Sequence, residues 1–146
     1  MDASTTPPSP QSGTRGASSQ GGLVVARVAI ADDDPESVEL LAHSLASPTT
    51  EISRASSGAE LVVLLAERGP FDLIVTDVNM PWMEGVAVIR SARNSQIRTP
   101  VLIITGVARP DLEATVTRLG NARLLRKPVA LAELRQAVAE LLAMNR

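Results

Sequence analysis

The sequence predicts an α/β fold: a five-stranded parallel sheet with helices on both faces, doubly wound from five strand–helix units. Two observations carry this. Short apolar runs such as Val28–Ala31 and Leu73–Val75 show no in/out alternation, as expected of strands buried on both faces. Each run is followed by a stretch whose apolar residues recur at helical spacing, and such alternation requires right-handed crossovers and hence parallel strands.

Taken in order, Val24 to Ala31 is apolar apart from Arg27 and reads as the first strand. Asp34 and Pro35 then supply an N-cap and a first-turn proline, and Val38, Leu41, Ala42 and Leu45 share the inward face of the helix. His43 projects from the opposite face, where a histidine is simply solvated. Thr49 to Ala55 reads as a strand, and Ser57 caps a helix from Ala59 to Arg68 that Gly69 and Pro70 close. The β-rich run from Phe71 to Thr76 ends at Asp77. Glu84 to Arg93 is helical with Val86 and Ile89 inward, and Pro100 to Thr105 is the fourth strand. Pro110 opens a helix with Leu112, Val116 and Leu119 on one face, and Gly120 ends it. Arg123 to Leu125 is the last strand, and Leu131, Leu134, Val138 and Leu141 line the final helix.

Residues Met1 to Gly22 differ in kind. They are rich in Ser, Thr, Pro and Gly and cannot bury enough apolar area to offset ordering entropy, so a disordered tail is expected there, with one domain from Leu23 to Arg146. The 146 residues suffice for one domain and a tail, and with 45% hydrophobic residues a substantial core can form. The absence of cysteine excludes disulfides, thiolate metal sites and thiol catalysis. A net charge of −2 gives no footprint for nucleic acid, and with Phe71 and Trp82 the only aromatics there is no platform for stacking bases. No apolar run approaches the roughly 18 residues of a membrane span, and no signal pattern opens the chain. A cytoplasmic location, with no membrane contact, is expected.

In open α/β sheets ligands bind beyond the carboxyl ends of the strands. The polar residues at those ends are Asp32 and Asp33, Asp77, Thr105 and Lys127. Clustered carboxylates repel, by roughly 4 kcal/mol for a pair at ~4 Å and an effective dielectric of about 20. A bound divalent cation explains them, and oxygen-only ligation with few protein ligands suits Mg²⁺. Lys127 adds a positive charge and Thr105 a hydroxyl donor, which together with the metal form a clamp for a phosphoryl group. Asp77, ending the central apolar strand, can attack phosphorus to form an acyl phosphate.

These blocks resemble the receiver domains of response regulators, including the single-domain chemotaxis regulator. The resemblance lies in Val28-Ala29-Ile30-Ala31-Asp32-Asp33-Asp34-Pro35, in Phe71 to Gly85, in Pro100 to Gly106 and in Leu125-Arg126-Lys127-Pro128, and covers about Val24 to Ala143. It implies a flavodoxin-like fold and a phosphoacceptor, not an enzyme, that takes a phosphoryl group from a sensor histidine kinase or phosphotransfer protein onto Asp77. Asp33, Asp77 and the backbone carbonyl of Asn79 would bind Mg²⁺, with Asp32 orienting a metal-bound water. Lys127 and Thr105 would hold the phosphoryl oxygens, and Lys127–Pro128 would be cis. Asp34 matches no site position and stays a helix cap.

One position departs from the family pattern. Three residues before the lysine the family usually carries Tyr or Phe, whose movement reports phosphorylation; here it is Leu124. A haloacid-dehalogenase-type phosphatase would need an Asp two residues after the nucleophile, where Asn79 stands. An FMN-binding flavodoxin-like domain would need aromatics and a phosphate loop that are missing here. The alternative is a pseudo-receiver, an interaction module that is never phosphorylated; the intact acidic set argues against it. No output domain is expected after the last helix, and the domain is expected to be a monomer or weak dimer acting through an unknown protein target.

Overall fold

The computed structural model describes residues 26–78, 85–106 and 110–144. Met1 to Gly22, Asn79 and Trp82 lie outside the described residues. The elements are β1 (Ala26–Ala31), α1 (Pro35–Leu45), β2 (Thr50–Ala55), α2 (Gly58–Glu67), β3 (Leu73–Asp77), α3 (Gly85–Asn94), β4 (Val101–Thr105), α4 (Leu112–Leu119), β5 (Ala122–Arg126) and α5 (Leu131–Met144). All strand pairs are parallel, in the order β2-β1-β3-β4-β5. The expected fold class is therefore realised.

Local signals start the helices as expected. Asp34 accepts from the Glu36 N–H at 3.0 Å with Pro35 behind it, and Ser57 accepts from the Glu60 N–H at 3.1 Å. Glu60 reaches back to the Ser56 N–H at 2.7 Å, which holds its carboxyl below the usual carboxylate range. Gly120 ends α4 with φ +74°, a backbone conformation that a side chain disfavours. Gly69 works differently. Its φ is not positive; a Cβ there would lie 2.7 Å from the Leu65 carbonyl oxygen, so glycine is required by contact.

Strand alternation divides the core between two faces. Ala29, Ala31, Ile74 and Ile103 pack with Leu61 of α2, Val86 and Ile89 of α3, and Leu112 and Val116 of α4. Val28, Ile30, Leu73, Val75 and Leu102 pack with Val38 and Ala42 of α1 and with Leu134, Ala137 and Leu141 of α5. Fully buried Leu, Ile and Val side chains each contribute roughly 1.5–3 kcal/mol relative to exposure, and the central strands are made almost wholly of them.

The expected stripe of α5 needs one correction. Leu134 and Leu141 are buried and Val138 packs against the core, but Leu131 is 47% exposed and Ala137 takes the inward place. Leu131 sits on the first turn of α5, where it faces a groove shared with the exposed Leu40 of α1 instead of the sheet. Arg27, the one charge in β1, lies at the opposite end of the sheet from Asp32. Its guanidinium covers the Phe71 ring at 4.9 Å, pairs with Glu51 at 2.7 Å and donates to the Pro70 carbonyl at 2.6 Å. Among the described residues no helix is long and apolar enough to cross a membrane.

Candidate functional site

Because all five strands run the same way, their carboxyl ends share one edge of the sheet. Asp32 leaves β1 there, Asp77 ends β3, Thr105 ends β4 and Lys127 follows β5. β1 pairs with β3, so Asp32 and Asp77 are brought side by side from positions far apart in sequence.

The carboxylates of Asp32, Asp33 and Asp77 each offer an oxygen, and these oxygens all lie within 4.8 Å of one another. Their burial differs: Asp32 is 2% exposed, Asp77 is half-buried and Asp33 is exposed. Lys127 Nζ stands 3.5 Å from Asp32 Oδ2 and 3.7 Å from Asp77 Oδ2. The lysine is fixed from below: its N–H donates to the Thr105 carbonyl at 2.7 Å, and its stem passes Gly106. Lys127–Pro128 is a cis peptide, as is Gly69–Pro70, which the sequence did not suggest. Thr105 is buried and stands one residue beyond Ile104, the register partner of Asp77.

Burial pushes the Asp32 carboxyl above the usual carboxylate range. The Asp34 N–H, donating to Asp32 Oδ1 at 3.0 Å, and the Lys127 ammonium oppose that shift, while the charge of Asp77 adds to it. Asp34 turns its own side chain to α1 and stands apart from the cluster, as its capping role implies. Three hard oxygen donors crowded together, one of them buried, form a set that fits Mg²⁺. Asn79, whose backbone carbonyl is the other expected ligand, lies outside the described residues.

Two further residues shape the site without having stood out in the sequence. Thr76, buried within β3, donates its hydroxyl to the Asp77 carbonyl at 2.9 Å. Gly85 opens α3 so close to this turn that a Cβ would lie 2.2 Å from the same carbonyl oxygen. The glycine could have been suspected from its place at a helix start, but a threonine inside a strand carries no such signal.

Comparison with known proteins agrees with this geometry. A family model for the response regulator receiver domain matches residues 28–139. The chain is 33% identical over 121 residues to the transcriptional regulatory protein PrrA of Mycobacterium tuberculosis, covering 83% of this chain and 52% of that protein. It is 34% identical over 116 residues to the response regulator protein PilR of Pseudomonas aeruginosa, covering 80% of this chain and 26% of that one. It thus spans about half and about a quarter of these relatives. Among solved structures, the receiver domain of the Francisella response regulator 1452 superposes with a TM-score of 0.75 at 25% identity, covering 83% of this chain and 99% of that one. The chemotaxis protein CheY4 of Vibrio cholerae gives 0.71 at 27% identity, covering 80% and 98%. Receiver domains are phosphoacceptors that bind Mg²⁺ at an acidic pocket, and response regulators partner with histidine kinases or phosphotransfer proteins. With the family model matching from β1 into α5 and the acidic edge in place, this chain belongs to the response regulator receiver domain family.

Proposed function

We propose that this chain is the phosphoacceptor of a two-component phosphorelay, taking a phosphoryl group from a sensor histidine kinase or phosphotransfer protein onto Asp77 in a Mg²⁺-dependent reaction. The observation that carries the reading is the convergence of Asp32 and Asp77 on the Lys127 ammonium, at 3.5 and 3.7 Å, beside the exposed Asp33. A structural ion pair needs one carboxylate, whereas here two face a single ammonium and a third offers an oxygen within 4.8 Å of theirs.

An oxygen of Asp77 attacks phosphorus, the P–N bond of the donor phosphohistidine breaks, and the imidazole leaves with its electron pair, so an acyl phosphate forms on Asp77. Asp32, Asp33, Asp77 and the Asn79 carbonyl are the groups that would hold Mg²⁺, Asp32 through a metal-bound water. Held there, the metal would supply positive charge to offset that of the carboxylates and the incoming phosphoryl group. Lys127 would neutralise a phosphoryl oxygen, and the Thr105 hydroxyl, at the end of the neighbouring strand, would bind another. Signalling then passes through partner binding, with the domain acting as a monomer or weak dimer in the cytoplasm.

Incubation with acetyl phosphate and Mg²⁺ should add one acid-stable, base-labile phosphoryl group, and Asp77→Asn should abolish it. Labelling that survives the substitution would overturn the assignment.

A further inference from the structure

A hydroxyl buried in an apolar layer costs free energy unless it is bonded. Thr76 is 1% exposed and has the strand parity of Ile74, which packs towards α2, α3 and α4. Its Oγ1 donates to the Asp77 carbonyl at 2.9 Å. That carbonyl and the Val78 N–H belong to one peptide unit, and the N–H donates to Asp77 Oδ1 at 2.7 Å. The plane is therefore tied at both poles, by Thr76 at one end and by the Asp77 carboxylate at the other. The start of α3 closes the remaining side. The Gly85 N–H donates to the Val78 carbonyl at 3.1 Å, and a Cβ on Gly85 would lie 2.6 Å from Thr76 Oγ1. With Oδ1 engaged by the backbone, Oδ2 is left facing Lys127 at 3.7 Å.

We propose that Thr76 is a positioning residue for Asp77: its hydroxyl fixes the Asp77–Val78 peptide and, through it, the direction of the carboxylate. The proposal rests on the phosphoacceptor reading above. Without the hydroxyl the peptide plane can turn, and the carboxylate loses the N–H that orients it. Misplacing a reacting atom by about 1 Å can cost up to ~10²-fold in rate, so a partial loss of orientation should cost about tenfold.

Two pairs of proteins isolate the hydroxyl: the parent against Thr76→Val, which keeps the shape, and Thr76→Ser against Thr76→Ala, which both lack the methyl group. Single-turnover phosphorylation by phosphoramidate with Mg²⁺ is followed over a range of donor concentrations, alongside thermal melting. In each pair the protein without the hydroxyl should show a maximal rate about tenfold lower, with half-saturating donor changed less than twofold. If Thr76→Val fails to fold, the Ser/Ala pair decides alone. Equal maximal rates within both pairs, or within the one that folds, would overturn the positioning role while leaving Asp77 as acceptor. A parent protein that takes no label would instead overturn the phosphoacceptor reading, and the Thr76 proposal with it.

Discussion

Replacing Asp32 by asparagine removes one charge from a crowded site and keeps its shape. The bond from the Asp34 N–H to Oδ1, 3.0 Å long, survives because an asparagine side chain offers the same carbonyl oxygen. What changes is the electrostatics. Asp77, with an oxygen within 4.8 Å, repels an ionised Asp32 by about 3 kcal/mol at an effective dielectric near 20. Asp33 is exposed and adds little. Lys127, 3.5 Å away and partly screened by solvent, attracts at least as strongly over its shorter distance, so the two charge effects roughly offset one another and burial decides the sign. Desolvation of a carboxylate that is 2% exposed adds to the cost of ionisation. The balance makes Asp32→Asn about 1–2 kcal/mol more stable than the parent in EDTA, roughly 4–8 °C in Tm.

The pH dependence follows from the same residue. Its folded-state carboxyl is raised, chiefly by burial. Its favourable contribution is thus complete below the unfolded carboxylate pKa and is lost as pH rises through the folded one. In EDTA the parent should lose stability across that window, and the substitution should remove this decline. Mg²⁺ should stabilise the parent more than the variant, since binding to the folded state alone adds stability by mass action. Thermal melts by circular dichroism, in EDTA and in Mg²⁺, measure all three effects. A variant less stable than the parent by more than about 1 kcal/mol in EDTA would refute the argument, because the Lys127 pair would then outweigh desolvation and repulsion together.

Leu124 is half-buried and packs against the core on the α2, α3 and α4 side, with no aromatic ring to swing. Hydrogen exchange of the beryllofluoride-bound protein should therefore change around Asp77, Thr105 and Lys127 but only slightly across α4, β5 and α5; large changes from Pro110 to Arg126 and through the final helix would refute weak coupling. Deleting Met1 to Gly22 should shift unfolding stability by less than about 1 kcal/mol in denaturant melts, and a larger loss would mean that the segment docks on the domain.

The elements were legible in the sequence because their causes are local. Asp34–Pro35 and Ser57 start helices through bonds that span two or three residues, and the apolar runs of β1, β3 and β4 announce burial on both faces without reference to a partner. The strand-end rule likewise picks out Asp32, Asp33, Asp77, Thr105 and Lys127 from their order along the chain. Other features depend on what lies opposite, which no local pattern encodes. Leu131 and Leu134 fit one helical stripe equally well, yet only Leu134 faces the sheet; Leu131 overhangs a groove.

The same division holds at the site. Residue types and order alone determined that acidic, hydroxyl and ammonium groups gather at one edge of a parallel sheet, since strand direction follows from the alternation of strands and helices. Tertiary structure decided which of the adjacent Asp32 and Asp33 is buried, because that depends on the neighbouring β3 and on Lys127, 95 residues away. It also decided that the Thr76 hydroxyl meets the Asp77 carbonyl where α3 begins, for a strand threonine takes its meaning from the chain that packs over it, here the backbone at Gly85.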